Sequence, residues 1–498
     1  MRTKLLLLLF FVNFSIYAQY TNIPDVNFEN KLIALGIDSG TSDGKVLTDK
    51  IDKLTSLDIS NSSIVDLTGI QDFVSLTTLN CYSNQLVTLD LSKNTALEIL
   101  ICFYNPLTSL DISKNIALKI LICNNNQLAT LDLSKNTALT NLTCNSNSLT
   151  TLDVSKNIAL KYLNCTSNQL TSLDISKNTA LTNLICTSNS LTTLDLSKNL
   201  ILADLVCDSN SLTTLDLSMN TSLKNLYFAH NQITTLDLSK NTALEILSYP
   251  YNQLATLDVS KNTALTNLDC SSNPLTSLDV SKNTALKYLY CISNPLTTLD
   301  LSKNTALEYL YCYSSSFTTL DLSKNIALKN LDCHSSSLTI LDLSKNTALK
   351  YLYCDSNQLT NLNLKNGNNA FLAYMNCKSN SNLTCIQVDD VSYSNTNWTT
   401  YKDATATYSL SCPLLGITET VFDKIAVYPN PAKGELHIDN SSLEKATIYD
   451  TLGRLITTTK FTNGSNNNTI NLAGFRSGIY YIYLENEGAT IVKKIIVE

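Results

Sequence analysis

The sequence is poor in the residues that most enzyme chemistry needs. Only three histidines occur in 498 residues, no HExxH, GxSxG or glycine-rich phosphate loop is present, and no two cysteines stand in a CxxC pair. Catalysis is therefore left without a candidate acid, base or nucleophile, and no cofactor or metal centre is expected. A net charge of −7 gives no basic stripe, which argues against a nucleic-acid partner. After the first 18 residues there is no long apolar run, so the mature chain is not expected to span a membrane. Helical 3.6-residue spacing is also missing over most of the chain.

What replaces it is a fixed period. Leucine recurs without slip every 21 residues from Leu76 to Leu349, and the next, Leu372, follows after 23. A period in this range marks a solenoid, whose coils are too small to bury their own apolar faces and so stack on one another. One coil, LEILICFYNPLTSLDISKNIA from Leu97, repeats a ten-residue phrase: LxxLxCxxNxL, then LxxLDLSKNxA. Both halves alternate in and out as half-buried strands do. The expected fold is mostly β, with two short parallel strands per coil on opposite faces. Both faces should step by about 4.8 Å per coil, giving a weakly curved rod on the order of 70 Å long.

These phrases resemble the leucine-rich-repeat family, in its nested bacterial form with LDLxxN in the second half. The first unit, LTSLDISNSSIVDLTGIQDFVS from Leu54, resembles internalin-type repeats. The resemblance implies protein or ligand binding and supplies no catalytic residue. A solenoid needs capped ends. The expected division is a signal peptide at 1–18, an N-terminal cap at 19–53 with Phe28, Leu32 and Leu35 on one helical face, the solenoid at 54–371, a C-terminal cap at 372–412 holding the single Trp, a linker at 413–422 and a last domain at 423–498.

Fifteen cysteines in an exported protein would ordinarily suggest a disulfide framework. Here Cys81 through Cys354 keep the 21-residue phase, with Phe228 and Tyr249 substituting twice, which is the behaviour of an apolar core column. Cys377 continues it, leaving Cys385 and Cys412 as the expected single disulfide. The Asn column Asn84, Asn105, Asn126 and onward suits a turn whose backbone groups need side-chain partners, and Ser315 and Ser336 should loosen that turn. Asp from Asp90 to Asp342, with Lys three residues on, reads as a solvated, self-neutralising face. A calcium ladder and an ice-binding plane are weaker alternatives there, the first because Lys already compensates the carboxylates.

A scaffold face is uniform from coil to coil, whereas a recognition face varies. The variable positions flank the buried Leu and Cys of the first half. Tyr288, Tyr290, Tyr309, Tyr311, Tyr313, Tyr351 and Tyr353 gather there with Asp332 and His334. Tyrosine offers stiff contact area and a hydroxyl, although cross-strand stacking alone would also favour it. Ile99, Ile101, Phe103, Ile120 and Ile122 form a second, apolar patch that would be exposed on the same face.

The chain ends indicate where the protein goes. Arg2, Lys4, the apolar run from Leu5 through Ile16, and Ala18 make a secretory signal, with cleavage expected before Gln19. Residues 423–498 lose the period and read as a small β-sandwich. VYPNPAKGELHID, IYDTLGR and SGIYYIYLENEGATIVKKIIVE resemble the type A C-terminal sorting domain of the type IX secretion system. The motif residues are Tyr428, Pro429, Asn430, Pro431, Tyr449, Gly453, Arg454, Gly478, Tyr480 and Lys494. That resemblance implies the type IX machinery as a partner, a Bacteroidota outer membrane, removal of the domain after export, and attachment to surface lipopolysaccharide in many members. The expected protein is thus a non-enzymatic, secreted or surface-held binding protein of a Gram-negative bacterium, adhesin-like, with an extracellular protein partner. Glycan recognition by the tyrosines and a passive spacer rod are the alternatives.

Overall fold

The computed structural model describes residues 19–412, 426–439, 443–451, 454–461, 468–486 and 489–498, so the expected leader, the expected linker and Gly453 lie outside it. The chain divides into two compact units, one ending at Leu410 and one beginning at Ser411.

In the first unit, sixteen three-residue strands from Ser56–Asp58 to Tyr374–Asn376 form one parallel sheet in chain order. Each pairs with the next at the same phase, as Leu100 does with Leu121. Leu79, Leu100, Leu121 and their successors are fully buried beneath the sheet, beside the Cys column. Burying a leucine side chain contributes roughly 2 kcal/mol, and each coil adds several, which makes the stack rather than the single coil the stable unit.

The second half of the coil departs from expectation. Along most of the solenoid it forms turns, and strands occur only at Ile340–Asp342, Asn361–Asn363, Cys385–Gln387 and Thr407–Ser409. The last two belong to the C-terminal cap, so this second sheet grows inward from the cap's extended segments. Where it is missing, the leucine of LDL is slightly open, at 7% for Leu89, Leu110 and Leu131, and where it forms Leu341 and Leu362 are at 0%. Elsewhere among the described residues the second halves form no strand, apart from an isolated bridge between Asp90 and Asp111.

Two buried Asn columns hold the turns. In the first, Asn105 Nδ2 donates to the carbonyls of Cys81 and Cys102 at 3.0 and 3.1 Å, while its Oδ1 accepts the Leu86 N–H at 3.1 Å. The residue before each of these Asn is left-handed, from Ser83 at φ 53° to Ser379 at 56°. Contrary to expectation, Ser315 and Ser336 do not loosen this shape: Ser314 and Ser335 keep φ of 55° and 50°. What those coils lose is bonds, and the Ser315 hydroxyl is buried without a hydrogen-bond partner. The second column, Asn94 to Asn346 in the SKN of each coil, lies at 0% exposure. Asn115 Nδ2 donates to Leu91 and Asn94 carbonyls at 3.1 and 2.9 Å, and its Oδ1 has no partner.

Both ends are closed. The helix Val26–Ala34 is capped by Asp25 and packs Phe28 on Phe73 with ring centroids 6.1 Å apart. At the other end the helix Val391–Asn397 leads to Trp398, whose carbonyl accepts the Tyr408 hydroxyl at 2.9 Å. Asp403 accepts the N–H groups of Ser379 and Asn380, continuing the last coil.

The second unit has two antiparallel sheets. One holds Ala426–Tyr428, Glu435–Asp439 and Asn468–Asn471; the other holds Leu455–Lys460, Lys445–Asp450, Gly478–Asn486 and Ala489–Val497. They share one core that includes Leu436, Ile448, Ile482 and Ile495.

Candidate functional site

The variable positions do lie on the outward pleat of the main sheet, with the invariant Leu and Cys beneath. Tyr288 stacks on Tyr309, and Tyr290 on Tyr311, each pair at 4.7 Å between centroids and within 8° of parallel. Tyr313 stacks on His334 at 4.2 Å, and the His334 ring nitrogen Nδ1 lies 2.6 Å from the Asp332 carboxylate. Tyr353 meets Tyr374 at 4.9 Å, which in turn meets Tyr401 edge-on, so the aromatic surface runs one coil further than expected. Tyr351 stands out at 40% exposure while the other six tyrosines of the cluster are half-buried.

Parallel strands impose this geometry. Residues one coil apart sit side by side at the strand spacing, close to the thickness of two stacked rings, so ring faces meet one another and ring edges with their hydroxyls point outward. The phenols of Tyr290, Tyr313 and Tyr353 are pushed up by burial, with Asp269 and Asp332 adding to the effect.

The apolar patch is less open than expected. Ile99 and Ile101 pair with Ile120 and Ile122 on the adjacent strand and all four are half-buried. Phe103 is covered on one side by Tyr82, at 4.5 Å and 2°. A further cluster was not singled out from the sequence: Asp204 accepts from Asn183 and Asn225 on the strands either side, and His230 stacks on the exposed Tyr251 at 4.3 Å. Asp204, Asn183 and Asn225 are variable positions of the outward columns, whereas His230 and Tyr251 hold the left-handed turn position before the Asn column, and the cluster lacks the tyrosine density of the later coils.

Other columns are structural. The thirteen cysteines from Cys81 to Cys377 are free and buried, and desolvation pushes thiols such as Cys81 and Cys123 up to about 12, which keeps them as neutral, inert packing groups. Cys385 and Cys412 are the disulfide-bonded cysteines. Phe228 and Tyr249 fill the column where it changes residue and stack at 5.4 Å. Each Asp of the LDLS face turns back on its own coil, as Asp90 accepts the Ser92 N–H at 2.9 Å, and the Ser92 N–H and hydroxyl hold it below the usual carboxylate range. A carboxylate so engaged is less available to a cation, and among the described residues no three Asp, Glu, His or Cys side chains converge as a metal site.

The buried Tyr249 hydroxyl has no hydrogen bond of ordinary geometry, with the Cys270 thiol as its polar neighbour. Tyr249→Phe removes that oxygen at constant shape. We expect it to leave the fold unchanged and to raise stability by about 1 kcal/mol, read as a higher urea midpoint. A fall in the midpoint would mean the hydroxyl is bonded.

In the second unit several of the expected motif residues make specific contacts. Asn430 Nδ2 donates to the Lys494 carbonyl at 2.9 Å and its Oδ1 accepts the Ile496 N–H at 2.9 Å, pinning the final strand. The Tyr428 hydroxyl donates to Asp439, the Arg454 Nε to Asp450 at 2.7 Å, and the Tyr480 hydroxyl to the Arg476 carbonyl. Gly478 opens the strand that pairs with the last one, and Tyr449 packs edge-on to Tyr483.

A capped parallel solenoid with a 21-residue coil, a buried thiol column and a variable strand face is a leucine-rich-repeat protein. The functional domain of InlJ from Listeria monocytogenes, which includes a cysteine ladder, is 31% identical, with a TM-score of 0.65 over 97% of this chain and 99% of that one. The chain therefore belongs to the internalin-type leucine-rich-repeat family. Internalin J of L. monocytogenes serotype 4b strain F2365 is 43% identical over 72 residues, which span 14% of this chain and 8% of that protein. A leucine-rich-repeat protein of Leptospira interrogans shares the fold, at 23% identity and a TM-score of 0.57 over 62% of this chain and 89% of that one. Residues 426–498 match the secretion system C-terminal sorting domain. The tail indicates a protein secreted from, or held at the outer surface of, a Gram-negative cell. Among the described residues no helix is long and apolar enough to cross a membrane.

Proposed function

We propose that this is an adhesin-like binding protein that recognises an extracellular protein through the variable face of its main sheet, centred on Tyr288, Tyr290, Tyr309, Tyr311, Tyr313, Tyr351 and Tyr353. In this reading residues 19–412 are the functional part, and 423–498 are a sorting tail removed on export, with lipopolysaccharide attachment as the means of display. The observation that carries it is the pair of parallel ring stacks on the outward pleat. Such rings are held in place before binding, so little entropy is lost when a partner docks on their edges and hydroxyls.

Sugar recognition is the weaker reading. Carbohydrate packs on open, outward-turned aromatic faces, and here six of the seven rings already have one face against a neighbouring ring. A spacer rod is weaker still, because drift would scatter through both halves of the coil and the LDLSKN half is nearly uniform.

The test is binding of the secreted chain to arrays of matrix proteins and glycans, beside a variant with Tyr288, Tyr290, Tyr309, Tyr311, Tyr351 and Tyr353 changed to Ser. We expect a protein ligand whose affinity falls at least 100-fold in the variant, which corresponds to about 2.7 kcal/mol, while circular dichroism stays the same. Equal binding by both proteins moves recognition off this face.

A further inference from the structure

The strand face is not electrically uniform. In the three outward columns from Tyr82 to Thr187 there is no charged residue, whereas from the coil of Asp204 onward the same columns hold Asp204, Asp208, Asp269, Asp332 and Asp355, and no Lys or Arg up to Asp355. Two of these acids have a special position. Along one column the register runs Asp269, Tyr290, Tyr311, Asp332, Tyr353, each residue directly beside the next. The carboxylates thus stand beside the two ends of the stacked Tyr290–Tyr311 pair, where each of these rings has its one face without a ring partner.

Neither acid forms an ion pair with a Lys or Arg among the described residues, and the basic group beside them is His334, on Asp332. Asp269 is half-buried and accepts the Ser271 N–H at 3.0 Å. Asp332 has a side-chain exposure of 15%, with His334 at 2.6 Å as its partner. The lysines nearby stand one residue ahead of the strands, where Lys329 pairs with Glu308 and Lys287 faces the same carboxylate. Burial pushes Asp269 up from the usual carboxylate range, the mark of a carboxylate that lacks a counter-charge.

Resting on the strand-face reading above, we infer that the C-terminal half of this face takes a basic segment of the protein partner, seating Arg or Lys side chains on the open ring faces of Tyr290, Tyr311 and Tyr353 against the carboxylates of Asp269 and Asp332. A guanidinium there gains a charge-assisted hydrogen bond and a cation–π contact from one position, and Arg is the better fit because its plane can lie on the ring while its fork meets the carboxylate.

The experiment uses the secreted full chain and a fluorescent peptide of alternating arginine and serine, with its glutamate counterpart as control. Two variants lose the same net charge in different places: Asp269→Asn with Asp332→Asn on the strand face, and Asp111→Asn with Asp132→Asn on the opposite side. Asn can still accept the Ser271 and His334 contacts, and circular dichroism checks folding. We expect saturable binding of the arginine peptide alone, at least tenfold weaker in the first variant and within twofold in the second. Equal weakening in both, or none in the first, overturns the inference. The array ligand separates this from the broader reading: if the tyrosine variant loses that ligand and Asp269→Asn/Asp332→Asn keeps it, the cationic partner falls and the strand face stands; if both keep it, both fall.

Discussion

Asn252→Ala should split the unfolding of the solenoid into two transitions. Asn252 Nδ2 donates to the carbonyls of Phe228 and Tyr249 at 2.9 and 3.1 Å, and its Oδ1 accepts the Ile233 N–H at 3.1 Å, so one side chain ties together backbone from three segments in two coils. It is 7% exposed, and water has little access to replace those bonds. Leaving a buried polar group unpaired costs about 1–3 kcal/mol each, so roughly 3 kcal/mol or more falls on a single coil interface. Stability in a solenoid is a sum of coil and interface terms, and cooperativity holds only while every interface is strong. A weakened one near the middle lets one half melt before the other. Urea titration followed by far-UV circular dichroism reads the outcome as an earlier midpoint with two phases. A single transition at the parent midpoint would show that the Asn column is dispensable. The chain also supplies the reverse experiment. Ser315 stands in the same column with a buried, unpaired hydroxyl, in a turn of unchanged conformation. Ser315→Asn can restore the three bonds and should raise stability by about 1 kcal/mol, read as a higher urea midpoint.

These columns also mark how far the sequence could be read. The period reports which residues share an environment, and from it the buried Leu and Cys columns, the Asn turn and the outward Tyr positions could all be assigned. It does not report how far apart equivalent residues stand. The LDLSKN half alternates like a strand, yet among the described residues before the C-terminal end its backbone forms no ladder beyond the single Asp90–Asp111 bridge, and the Asn side chains of SKN tie one coil to the next instead; alternation is a property within one coil and pairing a property between two. The second Asn column shows a different gap. Asn94, Asn115 and their successors are as regular as the cysteines, but they follow Ser and Lys in SKN, beside the Asp and Lys that read as a solvated face, and nothing in that pattern marks them as buried. Their complete burial depends on the turn direction after Leu91, which the pattern leaves open. For the outward tyrosines, position was legible and ring orientation was not. That the tyrosines stack face to face, and so present edges, follows only from the parallel register of adjacent strands.

Asp25→Ala should undock the N-terminal cap while leaving the central coils intact. The Asp25 carboxylate accepts four backbone N–H groups: Asn27 and Phe28 of its own helix at 2.8 and 3.0 Å, and Val65 and Asp66 of the first coil at 2.7 and 2.9 Å. One oxygen caps the helix and the other grips the solenoid, so the loss combines an N-cap of about 1 kcal/mol with a similar amount for the coil contacts. Partial burial raises this carboxyl, and the four N–H groups more than reverse that, leaving it below its usual value. The sign follows. A carboxyl lowered in the folded state adds stability that is complete above its unfolded value, about 3.9, and that is lost as pH falls from there through the folded value. The cap of the parent chain should therefore loosen on acidification below about pH 4, and this part of the pH dependence should be missing from Asp25→Ala. Hydrogen exchange at Val65 and Asp66 provides the measurement: at neutral pH faster exchange is expected in the variant, with the amides of Leu205 and Leu226 unchanged. Uncapping also frees the outer edge of Ser56–Asp58, which lies at the end of the main sheet and pairs only with Thr78–Asn80. An open parallel edge is a template for another chain, so the variant should self-associate as concentration rises, by light scattering, where the parent does not. If exchange at Val65 and Asp66 is unaltered and the variant stays monodisperse, the cap is held by Phe28 on Phe73 and the Asp25 carboxylate contributes little to it.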